Sequence, residues 1–186
     1  MKIAGYSWNG CLALNLALLG LRLMMKRDQK QSLNLNHIWS SFIDFGPRLR
    51  RIASVSGGPV WDHRLSNMET CGPFESVAEF HDFLVAPVKQ CPRPERFAEY
   101  RSQLADTFDV HFAHADLSWE NILVDAETGK VKGILDWEMA GFWPEWWEFR
   151  KALFGARSQP WWMDIMKEVM VPYGAEADLD MDVEMY

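Results

Sequence analysis

The sequence predicts an α+β fold in which helices surround a small antiparallel hairpin. Three observations predict it. Apolar residues recur at helical spacing through much of the chain, the period shortens to that of strands between Val110 and Leu135, and a polar turn joins the last two strand candidates there. At 186 residues, 48% of them apolar and 24% charged, the chain suffices for one good-sized domain or two small ones. That composition excludes a disordered chain, a collagen and a coiled coil.

Three stretches divide the chain: an atypical, Leu-rich and basic helical segment over 1–47, a main unit over 48–175, and an acidic tail over 176–186. From Leu33 to Ile52 the apolar positions Ile38, Phe42, Phe45 and Leu49 keep helical spacing, broken at Gly46-Pro47. A loop follows from Ser54 to Asn67, centred on Ser56-Gly57-Gly58-Pro59. Gly72-Pro73 opens a helix that places Val77, Phe80, Phe83 and Leu84 on one face and that Pro87 limits. A second helix runs from Pro94 to Thr107 with Phe97, Tyr100, Leu104 and Phe108 as its stripe. Val110–Ala113, Ile122–Val124 and Val131–Leu135 read as strands, the last two joined through Asp125–Lys130. Helices resume over Pro144–Phe154 and Pro160–Met170. The tail carries five acids and no base and reads as solvated.

Charge and cysteine usage narrow the function classes. Residues 1–52 hold eight Lys and Arg against Asp28 and Asp44, a surplus of six, so with a net charge of −7 the rest carries −13. An acidic body lacks the basic face that nucleic acid requires, and no nucleic-acid partner is expected. Cys11, Cys71 and Cys91 are too few and scattered for a disulfide framework or a Cys-based zinc site, which suits a reducing, cytoplasmic location. The apolar stretch Cys11–Met25 is interrupted by Asn15, Gly20 and Arg22 and falls short of the ~20 residues that cross a bilayer. No membrane association is expected.

The residues able to do chemistry concentrate in His114-Ala115-Asp116-Leu117-Ser118-Trp119-Glu120-Asn121 and Ile134-Leu135-Asp136-Trp137-Glu138. With Thr128-Gly129 at the turn, Asn121 falls opposite Asp136, where Cβ atoms lie about 5 Å apart. An amide oxygen and a carboxylate at that separation can share a hard cation such as Mg²⁺. Asp116, in the loop feeding the hairpin, supplies a second carboxylate to the same cleft. One acid at the metal and another free to accept the proton of an attacking hydroxyl is the division of labour in phosphoryl transfer. A His-x-x-His-x-Asp zinc hydrolase is disfavoured, because no histidine follows His114 to complete a ligand set.

His114-x-Asp116-x-x-x-x-Asn121 followed by Ile134-Leu135-Asp136-Trp137-Glu138 resembles the aminoglycoside phosphotransferase/choline kinase-like family, a branch of the protein-kinase-like fold. Gly57-Gly58-Pro59 with Asp62-His63-Arg64, Gly72-Pro73-Phe74 and Pro144-Glu145-Trp146-Trp147-Glu148 resemble stretches common in fungal members, so that the likeness covers roughly 48–172. The resemblance implies a mostly helical C-terminal lobe, Mg²⁺ and ATP as cofactors, and a small-molecule hydroxyl acceptor. It implies Asp116 as catalytic base, Asn121 and Asp136 as nucleotide-side Mg²⁺ ligands, and His114 as a brace of the loop. Family members usually carry Gly where Ala115 stands, and a positive φ there would strain an alanine.

No Gly-rich phosphate loop and no strand Lys with a helix Glu precede the motifs, so an N-terminal lobe is expected to be missing. The alternative is therefore a truncated, catalytically inactive lobe that acts at most as a binding module. Trp137 is the aromatic placed to line a cleft, whereas Trp143, Trp146, Trp147, Trp161 and Trp162 read as packing residues. Glu145 and Glu148 offer negative charge to a cationic acceptor, or else a solvated surface. His63 and His81 read as loop and helix-surface residues.

Overall fold

The computed structural model describes residues 51–66, 70–128, 130–155 and 159–185. The helical spacing read over 33–52 lies outside these apart from its last two residues, as does the 1–47 segment. Within the described residues the fold is α+β, with six α-helices and three small antiparallel sheets. In chain order come β1 (Ala53–Ser54), β2 (Val60–Trp61), α1 (His63–Ser66), β3 (Thr70–Cys71), α2 (Val77–Val85) and α3 (Arg96–Gln103). Then follow β4 (Val110–Ala113), β5 (Ile122–Val124), β6 (Val131–Ile134), β7 (Gly141–Pro144), α4 (Trp147–Gly155), α5 (Pro160–Val169) and α6 (Gly174–Val183).

The expected loop over 54–67 begins on the last residue of β1 and contains the short strand β2 and a helical turn. Gly72-Pro73 forms a cis peptide rather than opening the helix, and Phe74 bridges to Ile52 in extended backbone. Helix α2 starts only at Val77, where the Ser76 hydroxyl accepts from the Glu79 amide at 3.1 Å and the Glu79 carboxylate accepts from the Glu75 amide at 2.7 Å. These bonds satisfy amides that a helix start leaves unpaired. Its buried stripe is Val77, Phe80, His81, Leu84 and Val85, so His81 faces the core and Phe83 the surface.

Strand β7 was not foreseen, yet it is central to its sheet, in the order β1-β7-β4. Its last residue, Pro144, pairs with Val110 on one side, while the pairing with β1 stops at Phe142. A proline without an N–H can close the strand because only one neighbour extends that far.

The hairpin β5–β6 forms where expected, but its register is shifted. Ile122 faces Ile134 and Leu123 faces Gly133, with an irregularity before Val124↔Val131. The Leu135 amide then donates to the Asn121 carbonyl at 2.8 Å, so Asn121 lies opposite Leu135 and not Asp136. The cause is the turn: Asp125 accepts from Glu127 and Thr128, and its own amide donates to the Lys130 carbonyl, which displaces the centre.

The acidic tail is likewise not a solvated strip. It forms most of α6, which buries Ala177, Leu179, Asp180 and Val183. Asp180, fully buried, pairs with Arg64 at 2.8 Å and with Arg150 at 2.7 Å. Two apolar clusters fill the interior. One centres on Phe80, Trp143, Trp146 and Trp147, with Trp143 stacked on Trp147 at 5.4 Å. The other joins Leu117, Phe149, Trp162 and Met166 under the hairpin.

Candidate functional site

The loop after β4 is held from three directions. The imidazole of His114 is fully buried; its Nδ1 accepts from the Asp116 amide at 3.2 Å and its Nε2 donates to the Leu135 carbonyl at 2.8 Å. Only a neutral ring protonated on Nε2 satisfies both bonds, and burial accordingly lowers its pKa. His114 thus ties the residue carrying one candidate carboxylate to the residue preceding the other. With both nitrogens committed to backbone it has none for a metal, which removes the zinc-hydrolase arrangement.

Below, the buried carboxylate of Glu148 on α4 accepts from the His114 amide at 2.5 Å and from the Ala115 amide at 3.0 Å. Burial pushes its pKa up to about 7. Glu148 therefore holds backbone and is not available to attract a cationic acceptor. Glu145 is also committed, accepting from the Tyr173 hydroxyl at 2.9 Å. Ala115 stands at φ 61, the left-handed conformation that glycine adopts without strain. That turn redirects the chain so that Asp116, half-buried, follows a fully buried Ala115.

On the third side, Asn121 Nδ2 donates to the Asp116 carbonyl at 2.9 Å and to its carboxylate at 3.2 Å. Both partners are acceptors, so the amide nitrogen must point at Asp116. The amide oxygen remains the group available to a cation. Burial raises the Asp116 pKa, opposed by the positive charge of Lys151 and by the Asn121 bond.

Asp136 is exposed, at φ 62 just beyond β6, and is not opposite Asn121 in the ladder. It comes to the site through its neighbour Leu135, bonded to both Asn121 and His114. Asp116 and Asp136 both act electrostatically on the His114 imidazole. The structure brings Asp116 and Asn121 into direct contact, while for Asp136 it shows that the preceding residue, Leu135, bonds to both Asn121 and His114. Among the described residues no three His, Cys, Asp or Glu side chains form a metal-binding group. Trp137 is 42% exposed, meets His114 edge-on at 4.7 Å and stacks on Phe112. Trp143, Trp146, Trp147 and Trp162 are fully buried, as packing residues are.

The sequence pointed to Glu148 only as a surface charge and not to Lys151 at all, although both lie within an aromatic-rich helix whose neighbours Trp147 and Phe149 foretell burial. Cys71 and Cys91 are free thiols, and burial pushes that of Cys71 up to about 11, away from nucleophilic chemistry. Among the described residues no helix is long and apolar enough to cross a membrane.

No curated protein and no solved structure matches the chain. A family model described as the phosphotransferase enzyme family, APH, matches residues 9–177, which take in the site and also residues 9–47. The carboxylate and amide of the loop after β4, the acid after β6 and a match of that extent lead to one conclusion: the chain belongs to the phosphotransferase enzyme family.

Proposed function

We propose that this protein transfers the γ-phosphate of ATP to the hydroxyl of a small molecule. The observation that carries this reading is the contact of Asn121 with Asp116, with Leu135, the neighbour of Asp136, bonded to His114 of the same loop. In the reaction the acceptor oxygen forms a bond to the γ-phosphorus as the bond from phosphorus to the β,γ-bridging oxygen breaks. ADP departs with that electron pair, and the acceptor proton passes to Asp116. Burial favours this by raising the basicity of the Asp116 carboxylate.

The donor set fits a hard divalent cation. The Asn121 amide oxygen and the Asp136 carboxylate are oxygen donors, and two of them leave the remaining positions to water and phosphate, as Mg²⁺ prefers. Bound there, Mg²⁺ would neutralise charge developing on the phosphates. Register puts Asn121, Leu123 and Leu135 on one face of the hairpin, with Gly133 opposite Leu123. Leu123 is 48% and Leu135 45% exposed, an apolar surface beside the metal residues that suits a flat purine.

Radiolabelled γ-phosphate from ATP, followed onto a panel of alcohols, tests this. The wild type is expected to label an alcohol, and Asp116→Asn to lower the rate by about 10²–10⁴-fold while MgATP binding persists. Equal rates in wild type and Asp116→Asn would remove Asp116 from the chemistry. A second reading, a lobe that binds without transferring, rests on the sequence, in which no Gly-rich phosphate loop and no strand Lys with a helix Glu precede the motifs. It predicts MgATP binding with no labelled alcohol.

A further inference from the structure

The ion pair that fastens α1 to α6 uses only part of the Arg64 guanidinium. Nε donates to one oxygen of the Asp180 carboxylate at 3.2 Å. Nη2 donates to the other at 2.8 Å and to the Asp180 carbonyl at 3.4 Å. This side-on pairing spends Nε and Nη2 of the rigid fork and leaves both N–H groups of Nη1. Nη1 makes no hydrogen bond among the described residues. The side chain is only 9% exposed, so an acceptor placed on Nη1 gains more than it would at an open surface.

Arg64 lines a cavity of about 550 Å³, a volume within the range of small-molecule sites. Leu65 on α1, Phe83 and Leu84 on α2, and Ala86 and Pro87 on the helical turn that follows α2 supply its apolar walls. Phe83 is 37% exposed, an aromatic ring the core leaves at the surface, and its contact with Phe74 at 5.1 Å holds it there. Gln90, exposed at the end of the same turn, adds an amide with no hydrogen bond among the described residues. No acidic residue lines the cavity, and Asp82, next to Phe83, is spent on Arg101 at 2.5 Å.

We infer that this cavity binds a small organic carboxylate, with the anion on Nη1 of Arg64 and the apolar body against Leu65, Phe83 and Leu84. A carboxylate there makes a charge-assisted hydrogen bond, about twice as strong as a neutral one. The Gln90 amide can donate to its second oxygen. An alcohol of the same shape keeps the apolar contact and a neutral bond only, and an amine meets the positive guanidinium. None of the lining residues bonds to Asp116, Asn121 or Asp136, so the inference stands apart from the phosphotransferase reading and does not depend on it.

Calorimetric titration of the full chain provides the test. Octanoate and cinnamate are the carboxylate probes, octanol and cinnamyl alcohol their neutral counterparts, and octylamine the cation. At least one carboxylate is expected to saturate with a Kd below about 1 mM, and its alcohol to bind about tenfold more weakly or worse. Arg64→Lys keeps a cation for Asp180 but has no Nη1, and should weaken the carboxylate about tenfold while leaving the alcohol within about twofold. Ala86→Phe, which fills the cavity and spares the ion pair, should abolish binding. Saturating MgATP should leave the carboxylate Kd within about twofold. Should Arg64→Lys fail to fold, the alcohol comparison and Ala86→Phe decide. No saturation by either carboxylate up to about 10 mM, an alcohol or octylamine that binds as tightly, affinity unchanged in folded Arg64→Lys or in Ala86→Phe, or competition by MgATP would overturn the inference.

Discussion

At the residue scale, positions 114–116 show how little freedom the site has. Neutral His114, left-handed Ala115 and half-buried Asp116 are each held by a bond to a different element. The strain at Ala115 can be measured. A non-glycine residue in the left-handed region costs about 1–2 kcal/mol, while removing the buried methyl and freeing the unfolded chain cost a similar amount. Ala115→Gly should therefore change unfolding free energy by less than about 0.5 kcal/mol. Ala152→Gly, equally buried but within α4, should cost about 1.5 kcal/mol. Chemical denaturation of both variants checks the contrast; equal costs would show that the left-handed position carries no strain.

His81 yields a second residue-scale prediction. Burial holds its pKa below 6.5, against the pull of Asp106, which bonds Nδ1 at 3.0 Å, and of Asp82; Arg101 pushes the same way as burial. Its Nε2 is buried with no hydrogen-bond partner among the described residues. As pH falls through 6.5 the unfolded chain takes up a proton that the folded chain refuses, so stability is full above that range and declines below it. Unfolding free energies at about pH 7.5 and pH 5.5 should differ more for wild type than for His81→Phe. An equal difference in both would exclude His81 as a source of the acid sensitivity.

At the scale of elements, α4 and α6 show that charged residues here are structural. Asp180 on α6 neutralises Arg64 and, together with Glu184, Arg150; removing it would leave the Arg64 guanidinium without this counter-charge and Arg150 with Glu184 alone. Asp180→Ala should cost about 3–5 kcal/mol in denaturant unfolding, whereas an exposed ion pair would cost less than about 1. A loss below about 1 kcal/mol would mean that the pair adds little to stability. The sequence concealed this helix because its alternating acids read as a solvated surface, although Ala177, Leu179 and Val183 already offered an apolar side. Strand β7 was hidden by Pro144, and the hairpin register by the hydrogen bonds of Asp125, which no count from Thr128-Gly129 anticipates. By contrast α2, α3, β4, β5 and β6 were legible, because apolar periodicity alone decides them. His81 was misread as a helix-surface residue: it completes the buried spacing of Val77, Phe80, Leu84 and Val85, which choosing Phe83 obscured.

At the scale of the whole molecule, α4 acts as a hub. Its Glu148 holds the loop of Asp116, its Lys151 holds Asp62 before His63, and its Arg150 holds α6. Segments distant in sequence converge on one buried helix, whose buried charges hold the loop of Asp116 and the Asp62 carboxylate. The contact of Asn121 with Asp116 follows from their spacing in one loop, whereas the count that set Asn121 opposite Asp136 fails by one residue; the parts played by Glu148 and Lys151 were not readable, because they arise only once α4 is buried.

The most direct test of the central claim is calorimetric titration of MgATP into the full chain. Saturable binding is expected, weakened about tenfold or more in Asn121→Ala and in Asp136→Ala, each of which removes an oxygen donor. Wild-type binding that both substitutions leave unchanged, or no heat up to about millimolar nucleotide, would contradict the assignment of these residues to the phosphate side of a phosphotransferase site.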